Sequence, residues 1–511
     1  MRHSWFRTVL RRRIFVIVLL FLQLVFIWSV FKHESELTIL LANLLKLVSL
    51  MAVLHVISKK DKGSNKVAWV FLMLVFPVVG GPLYLLYHFQ ASTKRFQKSV
   101  SEITKWSQKL YMLPGSAMET LIKAETPNLP QIRYLQEYAG FPVYGSTKTQ
   151  YFSPGEKFLD PFLEQLEKAQ KYIFMEYFIV QEGSMWNRIL DILKEKAAQG
   201  VDVRIIYDDI GCFLTLPKNY ASILEQYGIK CQVFNPFRPV LSAVQNNRDH
   251  RKITSIDGKV AFTGGLNMAD EYINAVPKYG YWKDSVLMVE GKAAWSMTLM
   301  FLEMWALCSD IQEALEPFYP WNENRCAIEE DGFVQPYADS PLDDENVGEH
   351  VYLQILNGAK QYVYITTPYL IIDDSMVSAL CLAAKSGVDV RIITPHVWDK
   401  WLIHVTTRSF YRDLIRGGVK IYEYSKGFIH SKTFVSDDRV AAVGSINLDF
   451  RSLYLHFECG VCMYGSKAVT EVKEDFLKTL EHCHSITLEE CQGNLVRRVF
   501  QSFLRTFAPL M

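Results

Sequence analysis

The sequence predicts an α/β fold: a duplicated domain, with two pseudo-symmetric mixed or parallel sheets flanked by helices, behind N-terminal transmembrane helices. Three observations carry this. A short phrase built around His-x-Lys occurs twice, 180 positions apart. Strand-like and helix-like segments recur in the same order around each copy. Long uncharged apolar runs are found in the first ninety positions.

The chain opens with the basic stretch Met1–Arg13, followed by Ile14–Phe31, eighteen residues without a charge. That length is about the minimum for crossing a ~30 Å hydrocarbon core. No small-residue cleavage pattern follows, so it reads as a retained anchor rather than a signal peptide. Leu37–Ile57 is a second span, interrupted by Asn43 and Lys46. An ammonium at that depth has to face protein, water or a lipid head group, or snorkel from a tilted helix. The third run, Val67–Tyr87, has Pro77, Gly80, Gly81 and Pro82 at its centre and lysines on both flanks. Positive flanks stay on the cytoplasmic side, so a hairpin turning at Pro77–Pro82 satisfies both where a straight span does not. We therefore expect a multi-pass cell-membrane protein with two spans, a re-entrant or interfacial hairpin and a cytoplasmic catalytic part; a full third span would place that part outside.

Residues 1–90 thus form the membrane anchor and 91–135, with Pro114-Gly115, Pro127 and Pro130, a juxtamembrane linker. The repeats occupy 136–330 and 331–511. Ala169–Glu176 has a counterpart in Ala359–Thr366, and Gly200–Ile206 recurs letter for letter as Gly387–Ile393. Gly228-Ile229-Lys230 likewise matches Gly418-Val419-Lys420. Apolar runs such as Tyr172–Val180 suit strands buried on both faces, and their alternation with helical stretches predicts a largely parallel sheet in each half. Near the C-terminus Val496, Val499, Phe500, Phe503, Leu504 and Phe507 fall at helical spacing among Arg497, Arg498 and Arg505. Such a stripe can rest on anionic lipid, but more often docks on its own domain.

Composition narrows the function. A formal net charge of +1 argues against a dedicated nucleic-acid binder, which needs a clearly basic surface. The nine cysteines are odd in number and scattered, which fits no disulfide framework. Cys459 and Cys462, with His482, Cys483 and His484 nearby, raise a zinc or redox site; against it, the C-x-x-C continues an apolar strand, where residues three apart face opposite sides.

The repeated phrase carries the chemistry. It reads His250-Arg251-Lys252, Asp257 and Gly264-Gly265-Leu266-Asn267 in the first half, and His430-Ser431-Lys432, Asp437 and Gly444-Ser445-Ile446-Asn447 in the second. In a strand, His and Lys two apart share one face. A neutral imidazole can attack or take a proton, and an ammonium can hold an anionic oxygen. Two such half-sites meeting about a pseudo-twofold can enclose one phosphodiester: Lys252 and Lys432, with Asn267, Ser445 and Asn447, bind its oxygens, while one histidine attacks phosphorus and the other serves the leaving group. Asp257 and Asp437 fit bracing of the motif turns better than phosphate contact.

These residues are similar to the phospholipase D superfamily, with its two H-x-K-x4-D motifs, and the resemblance extends to bacterial cardiolipin synthases through the N-terminal segments, Trp69–Gly81, the Gly264–Tyr272 context and the ending Phe507–Leu510. It implies phosphatidyl transfer through a phosphohistidine: two phosphatidylglycerols become cardiolipin and glycerol, with neither metal nor other cofactor. By this analogy His250 is the nucleophile and His430 the acid/base, although the near symmetry of the halves leaves the order open. The resemblance also assigns Asp284 and Glu458 as the acids that orient the histidines. One departure is visible, since synthases commonly show Asn-Phe-Glu where this chain has His456-Phe457-Glu458. The expected partners are phospholipids and the membrane, without nucleic acid; an oligomer is compatible with this reading. The rivals are a membrane phospholipase D in which water finishes the reaction, transfer to another lipid head group, a membrane-tethered nuclease, and an inactive scaffold organising lipid domains.

Overall fold

The computed structural model describes residues 36–60, 62–111, 117–238, 243–320 and 331–510, so the basic N-terminus and the first apolar run, Ile14–Phe31, lie outside the described residues. By internal packing the chain divides into an N-terminal helical unit, through Thr93 and joined by the short segment Phe237–Gln245, and a large α/β unit formed by Lys94–Pro236 and Asn246–Pro509.

In the helical unit, α1 (Glu36–Ser58) contains a 20-residue apolar stretch, Ile39–Ser58, long enough to cross a membrane. The third apolar run is two helices, α2 (Gly63–Val75) and α3 (Gly80–His88), with the chain turning at Phe76–Val79. At 1.5 Å per residue α2 is about 20 Å long, short of a bilayer core. Gly80 and Gly81 permit the turn: a Cβ on Gly80 would lie 2.7 Å from Met73 Cα, and one on Gly81 2.5 Å from Ser49 Cα. Ser49 of α1 then stitches it, donating its hydroxyl to Pro77 O (2.5 Å) and accepting from Gly81 N (3.0 Å). Polar backbone at a bend in an apolar unit is satisfied by a neighbouring helix, as burial away from water demands.

In the α/β unit the first repeat contributes β1 (Thr147–Phe152), β2 (Tyr172–Tyr177), β3 (Asp202–Asp208), β4 (Lys230–Phe234), β5 (Arg248–Asp249), β6 (Lys252–Ile256), β7 (Val260–Gly264), β8 (Tyr281–Lys283) and β9 (Val286–Gly291). Seven of these form a sheet in the order β1-β9-β7-β6-β2-β3-β4. The second repeat follows with β10 (Phe333–Asp339), β11 (Tyr362–Thr366), β12 (Leu370–Ile371), β13 (Asp389–Pro395), β14 (Lys420–Tyr424), β15 (Gly427–Ile429), β16 (Thr433–Ser436), β17 (Val440–Gly444), β18 (Leu448–Asp449), β19 (His456–Tyr464) and β20 (Cys483–Ser485). Its sheet runs β10-β19-β17-β16-β11-β13-β14-β20.

The sheets are mixed, which corrects the largely parallel expectation. Along the two main sheets β2-β3-β4 and β11-β13-β14 run parallel, while β6, β7 and β9 and their counterparts β16, β17 and β19 pair antiparallel. The reason is local. After each H-x-K strand, Asp257-Gly258 and Asp437-Asp438 enter the left-handed region (φ 52°, 65°, 53° and 56°) and close a tight hairpin in place of a helical crossover. The letter-for-letter repeat also gives a repeated ion triad: Asp202 binds Arg204 (2.7 Å) and Lys230 (2.8 Å), and Asp389 binds Arg391 (2.6 Å) and Lys420 (2.8 Å), tying neighbouring parallel strands together.

The two repeats share one core. It takes Phe174, Ile253 and Leu287 from the first sheet, Val435, Val443 and Val461 from the second, and most of helix α5 (Ala294–Ser309), buried almost all round. Phe301 of α5 stacks on Phe174 at 4.7 Å with no exposed surface, so Phe301→Ala is expected to cost about 3–5 kcal/mol. The segment expected as a linker is largely helical: Ala91–Tyr111 (part of it in this unit), Ala117–Lys123 and Leu129–Arg133. Leu110 O accepts from Trp295 Nε1 (3.1 Å), and Gln131 Nε2 donates to Cys462 Sγ (3.4 Å), so this segment touches elements of both repeats.

Candidate active site

Each motif strand is handed to the opposite repeat just before its histidine. β5, of the first repeat, pairs in parallel with the start of β19, of the second, and His250 N donates to Phe457 O (2.9 Å). Reciprocally β15 pairs in parallel with β8, and His430 N donates to Lys283 O (2.7 Å). The exchange sets each histidine beside an acid from the other half. His250 Nδ1–H donates to Glu458 (2.8 and 3.0 Å), and His430 Nδ1–H donates to Asp284 (2.7 Å). A carboxylate on Nδ1 holds the proton there and leaves the Nε2 lone pair free. Both acids are fully buried and both histidines are nearly so. The acids that the family resemblance named are thus brought to the histidines, crossed between repeats, a pairing that no spacing in the chain indicates.

Lys252 opens β6 and Lys432 lies just before β16, and Lys252 Nζ and Lys432 Nζ donate to His250 O and His430 O. Burial draws the Lys252 ammonium down to about 8 and the Lys432 ammonium to about 7. Burial, then Lys432, lowers His430 to about 4; burial and the charges of Lys252, His456, Lys432 and His430 hold His250 well below its ordinary range. That groups from the second repeat act on His250 makes this one electrostatic centre. At the acids, burial pushes both up, but His430 and Lys432 more than offset it at Asp284, which is lowered, whereas Glu458 stays raised despite Lys252 and Ser445.

The other expected residues divide. Asp257 accepts from the backbone N–H groups of Gln170, Lys171 and Tyr172 (2.7–2.9 Å), and Asp437 from those of Lys360, Gln361 and Tyr362 (2.7–2.9 Å). They brace the approach to β2 and β11, away from the histidine pairs. Asn267 accepts from Ile179 N (3.0 Å) and donates to Tyr272 Oη (2.7 Å), while Asn447 donates to Ser452 Oγ (3.0 Å) and keeps a buried, unpaired Oδ1. Ser445 Oγ–H donates to Glu458 Oε2 (2.5 Å), with Cys459 O also in reach (3.2 Å). Its counterpart is Gly265, where a Cβ would come 2.2 Å from Asp284 Oδ1. The shorter acid therefore faces glycine and the longer one faces a hydroxyl.

Two features went unforeseen. Arg248 is buried against Asp208 (2.8 Å), which also accepts from Asp249 N (3.1 Å), pinning β5 in its exchanged place. Its signal was an acid closing β3 and an arginine two residues before the motif. His456, at the departure from Asn-Phe-Glu, lies 5.5 Å ring to ring from His250. Its Nε2 accepts from Arg451 Nε (3.4 Å), and its buried Nδ1 has no hydrogen-bond partner. His250, His456 and Glu458 offer three possible metal-ligand atoms within 4.8 Å of one another. Two of the three are already hydrogen-bonded to each other. Cys459 and Cys462 belong to different core clusters on opposite faces of β19, which separates them as a ligand pair.

Comparison with known proteins agrees with this geometry. Residues 162–291 and 352–480 each match the family described as "Cardiolipin synthase, PLD-like domain", and residues 47–87 match "Phospholipase D-nuclease N-terminal". An uncharacterized protein of Streptococcus mutans is 43% identical over 90% of this chain and 99% of its own length. A cardiolipin synthase of Halalkalibacterium halodurans is 34% identical (88% of this chain, 89% of that one), and one of Geobacillus kaustophilus 32% identical (92% and 94%). Among solved structures, a phosphatidylserine synthase of Haemophilus influenzae shares the fold at a TM-score of 0.55 and 15% identity, covering 74% of this chain and 97% of that one. The chain is an enzyme of the phospholipase D superfamily and belongs to its cardiolipin synthase family.

Proposed function

We propose that the protein condenses two phosphatidylglycerol molecules into cardiolipin and glycerol at the centre formed by His250 and His430. The observation that carries the reaction type is the crossed pair of Nδ1–carboxylate hydrogen bonds, which leaves an Nε2 lone pair on each histidine, with Lys252 and Lys432 as neighbouring cations. Lys252, Lys432 and the amide of Asn267 offset the phosphodiester charge. His250 Nε2 attacks phosphorus while His430, whose protonation the bound phosphodiester anion and Asp284 favour, gives its proton to the departing glycerol oxygen, leaving a phosphatidyl-histidine. His430, now neutral, takes the proton from a head-group hydroxyl of the second phosphatidylglycerol. That oxygen attacks phosphorus, the P–N bond breaks, and His250 is restored.

His430 suits the acid/base role because Asp284, held ionised, stabilises its imidazolium. His250, held well below its ordinary range by burial and by the charge of Lys252, is a neutral nucleophile. No step calls on a metal. The named relatives support the lipid substrate, and α1 is long and apolar enough to cross a membrane. We further propose a multi-pass anchor in which α2 and α3 enter and leave on the cytoplasmic face, with the α/β unit inside. Labelling of cysteines introduced near Lys105 in intact cells should fail from outside; labelling there would reverse the orientation.

The reaction is tested with labelled phosphatidylglycerol in mixed micelles. Cardiolipin plus glycerol, absent with His430→Ala, is expected. Phosphatidic acid alone would make water the acceptor and replace this reading by a phospholipase D.

A further inference from the structure

The C-terminal stripe expected to dock on its own domain does so only at one edge. In α7 (Leu495–Phe507) the buried residue is Leu504, and Arg505 lies over Phe410 at 4.4 Å and reaches Asp413 (2.5 Å), fastening the helix to α6 (Trp401–Arg416). The rest of the stripe faces out: Val496 is 76% exposed, Val499 61% and Phe503 52%. It does not end there. Trp401 stacks with Phe500 at 6.1 Å, and Trp401, Leu402 and Trp398 are each about half exposed, so two elements far apart in sequence make one apolar, aromatic ridge. An isolated exposed apolar residue needs no explanation; a contiguous ridge across two helices does.

Charge and position indicate what covers it. The two helices carry six arginines against a single acidic residue, Asp413, in a chain whose formal net charge is +1. Arg497 and Arg498 are exposed beside the apolar stripe. Exposed aromatics set among arginines match the boundary between acyl chains and anionic head groups. The ridge also borders the catalytic centre: Trp398 and Trp401 flank Asp399 and Lys400, and Asp399 is hydrogen-bonded to Tyr369 (2.6 Å). The charge of His430 is felt at Asp399 and that of Lys400 at His456. The first repeat places exposed Ile210 and Leu214 at the corresponding position, just after β3, where β3 and β13 end in their respective sheets.

We propose that the outer faces of α6 and α7 form a docking surface that seats the α/β unit on an anionic lipid bilayer beside the mouth of the catalytic centre. The surface is distinct from the membrane-spanning helices. It would let a head group pass from the bilayer to the histidines without the lipid leaving its leaflet. The idea rests on the lipid substrate of the proposed function only for its purpose, and its first test needs no turnover.

That test places a photo-cross-linking p-benzoylphenylalanine at position Val496 in the full-length protein, reconstituted in nanodiscs of phosphatidylglycerol and phosphatidylcholine. A matched control sits at Lys467, whose side chain is 77% exposed on another helix. Lipid adducts at 496, absent at 467 and at least about threefold fewer in pure phosphatidylcholine, are expected. Adducts to a second copy of the chain, equal labelling at 467, or no lipid adduct at 496 would overturn the proposal. The second test combines Val496→Glu with Val499→Glu and reads a ratio: turnover on phosphatidylglycerol vesicles over turnover on its short-chain, monomeric form. The ratio should fall about tenfold, because only the bilayer-presented substrate needs the ridge. An unchanged ratio would also overturn it, whatever product the enzyme makes.

Discussion

The two half-sites are built from the same phrase and solve the same problem with different acids. His250 pairs with Glu458, which also takes the proton of Ser445; His430 pairs with Asp284, which faces Gly265 and accepts from Ser285 N (2.8 Å). Burial wins at Glu458 and loses at Asp284. Surroundings differ too: His430 stands among Trp282, Tyr272 and Phe428, whereas His250 meets Phe178 and His456. Duplication therefore supplied the geometry, and divergence in second-sphere residues gave each imidazole its own electrostatics. On this account one half carries the nucleophile and the other the proton.

The largest effect should come from the histidines themselves. His250→Ala or His430→Ala is expected to lower turnover by at least about 10⁴-fold, as for members of one catalytic unit. Substantial activity in either would end the two-histidine mechanism. Next come the acids, where the halves should separate. Asp284→Asn removes the ionised partner that stabilises the His430 imidazolium and should cost about 10²–10⁴-fold, while Glu458→Gln should cost about 10- to 100-fold. Equal losses, measured as kcat/KM on phosphatidylglycerol, would erase the proposed division of labour.

The pH profile sharpens the comparison. Lys432 and Lys252 are lowered to about 7 and about 8, so each carries its charge below that pH and loses it as pH rises through it. kcat/KM should accordingly fall on the alkaline side between about pH 7 and 8. Lys432→Arg, which cannot deprotonate, should move that limb upward; an unmoved limb would exclude Lys432. The motif aspartates should differ in stability instead. Asp257 is buried and Asp437 more open, so Asp257→Ala should cost about 3 kcal/mol in denaturant unfolding and Asp437→Ala about 1–2 kcal/mol. The smallest effect belongs to His456→Asn, which restores the Asn-Phe-Glu pattern that the family resemblance implies, expected to change kcat/KM by less than about threefold because the amide can still accept from Arg451.

The repeat and a turn within the third apolar run were legible because each is local, although that turn falls at Phe76–Val79 and the strand expected through H-x-K is broken there, with His250-Arg251 between β5 and β6 and His430-Ser431-Lys432 between β15 and β16. The turn role of Asp257 and Asp437 was legible for the same reason. What was hidden is non-local. No periodicity says that β5 joins the other repeat's sheet, that Asp208 waits for Arg248, or that Glu458 and Asp284 cross over. The contact of Ser445 with Glu458 was hidden because that acid is thirteen residues away, on β19. The sheets looked parallel because the βαβ half dominates the pattern and the hairpins after the motifs are short.

The division of labour between the halves is tested most directly by trapping the covalent intermediate. Full-length protein is mixed with phosphatidylglycerol labelled in the phosphatidyl group, quenched within a turnover and digested, and the acid-labile phosphoryl adduct is located by mass spectrometry. The account predicts the adduct on His250, with accumulation in Asp284→Asn, where the second step is slowed. An adduct on His430 would contradict it and exchange the roles of the two halves.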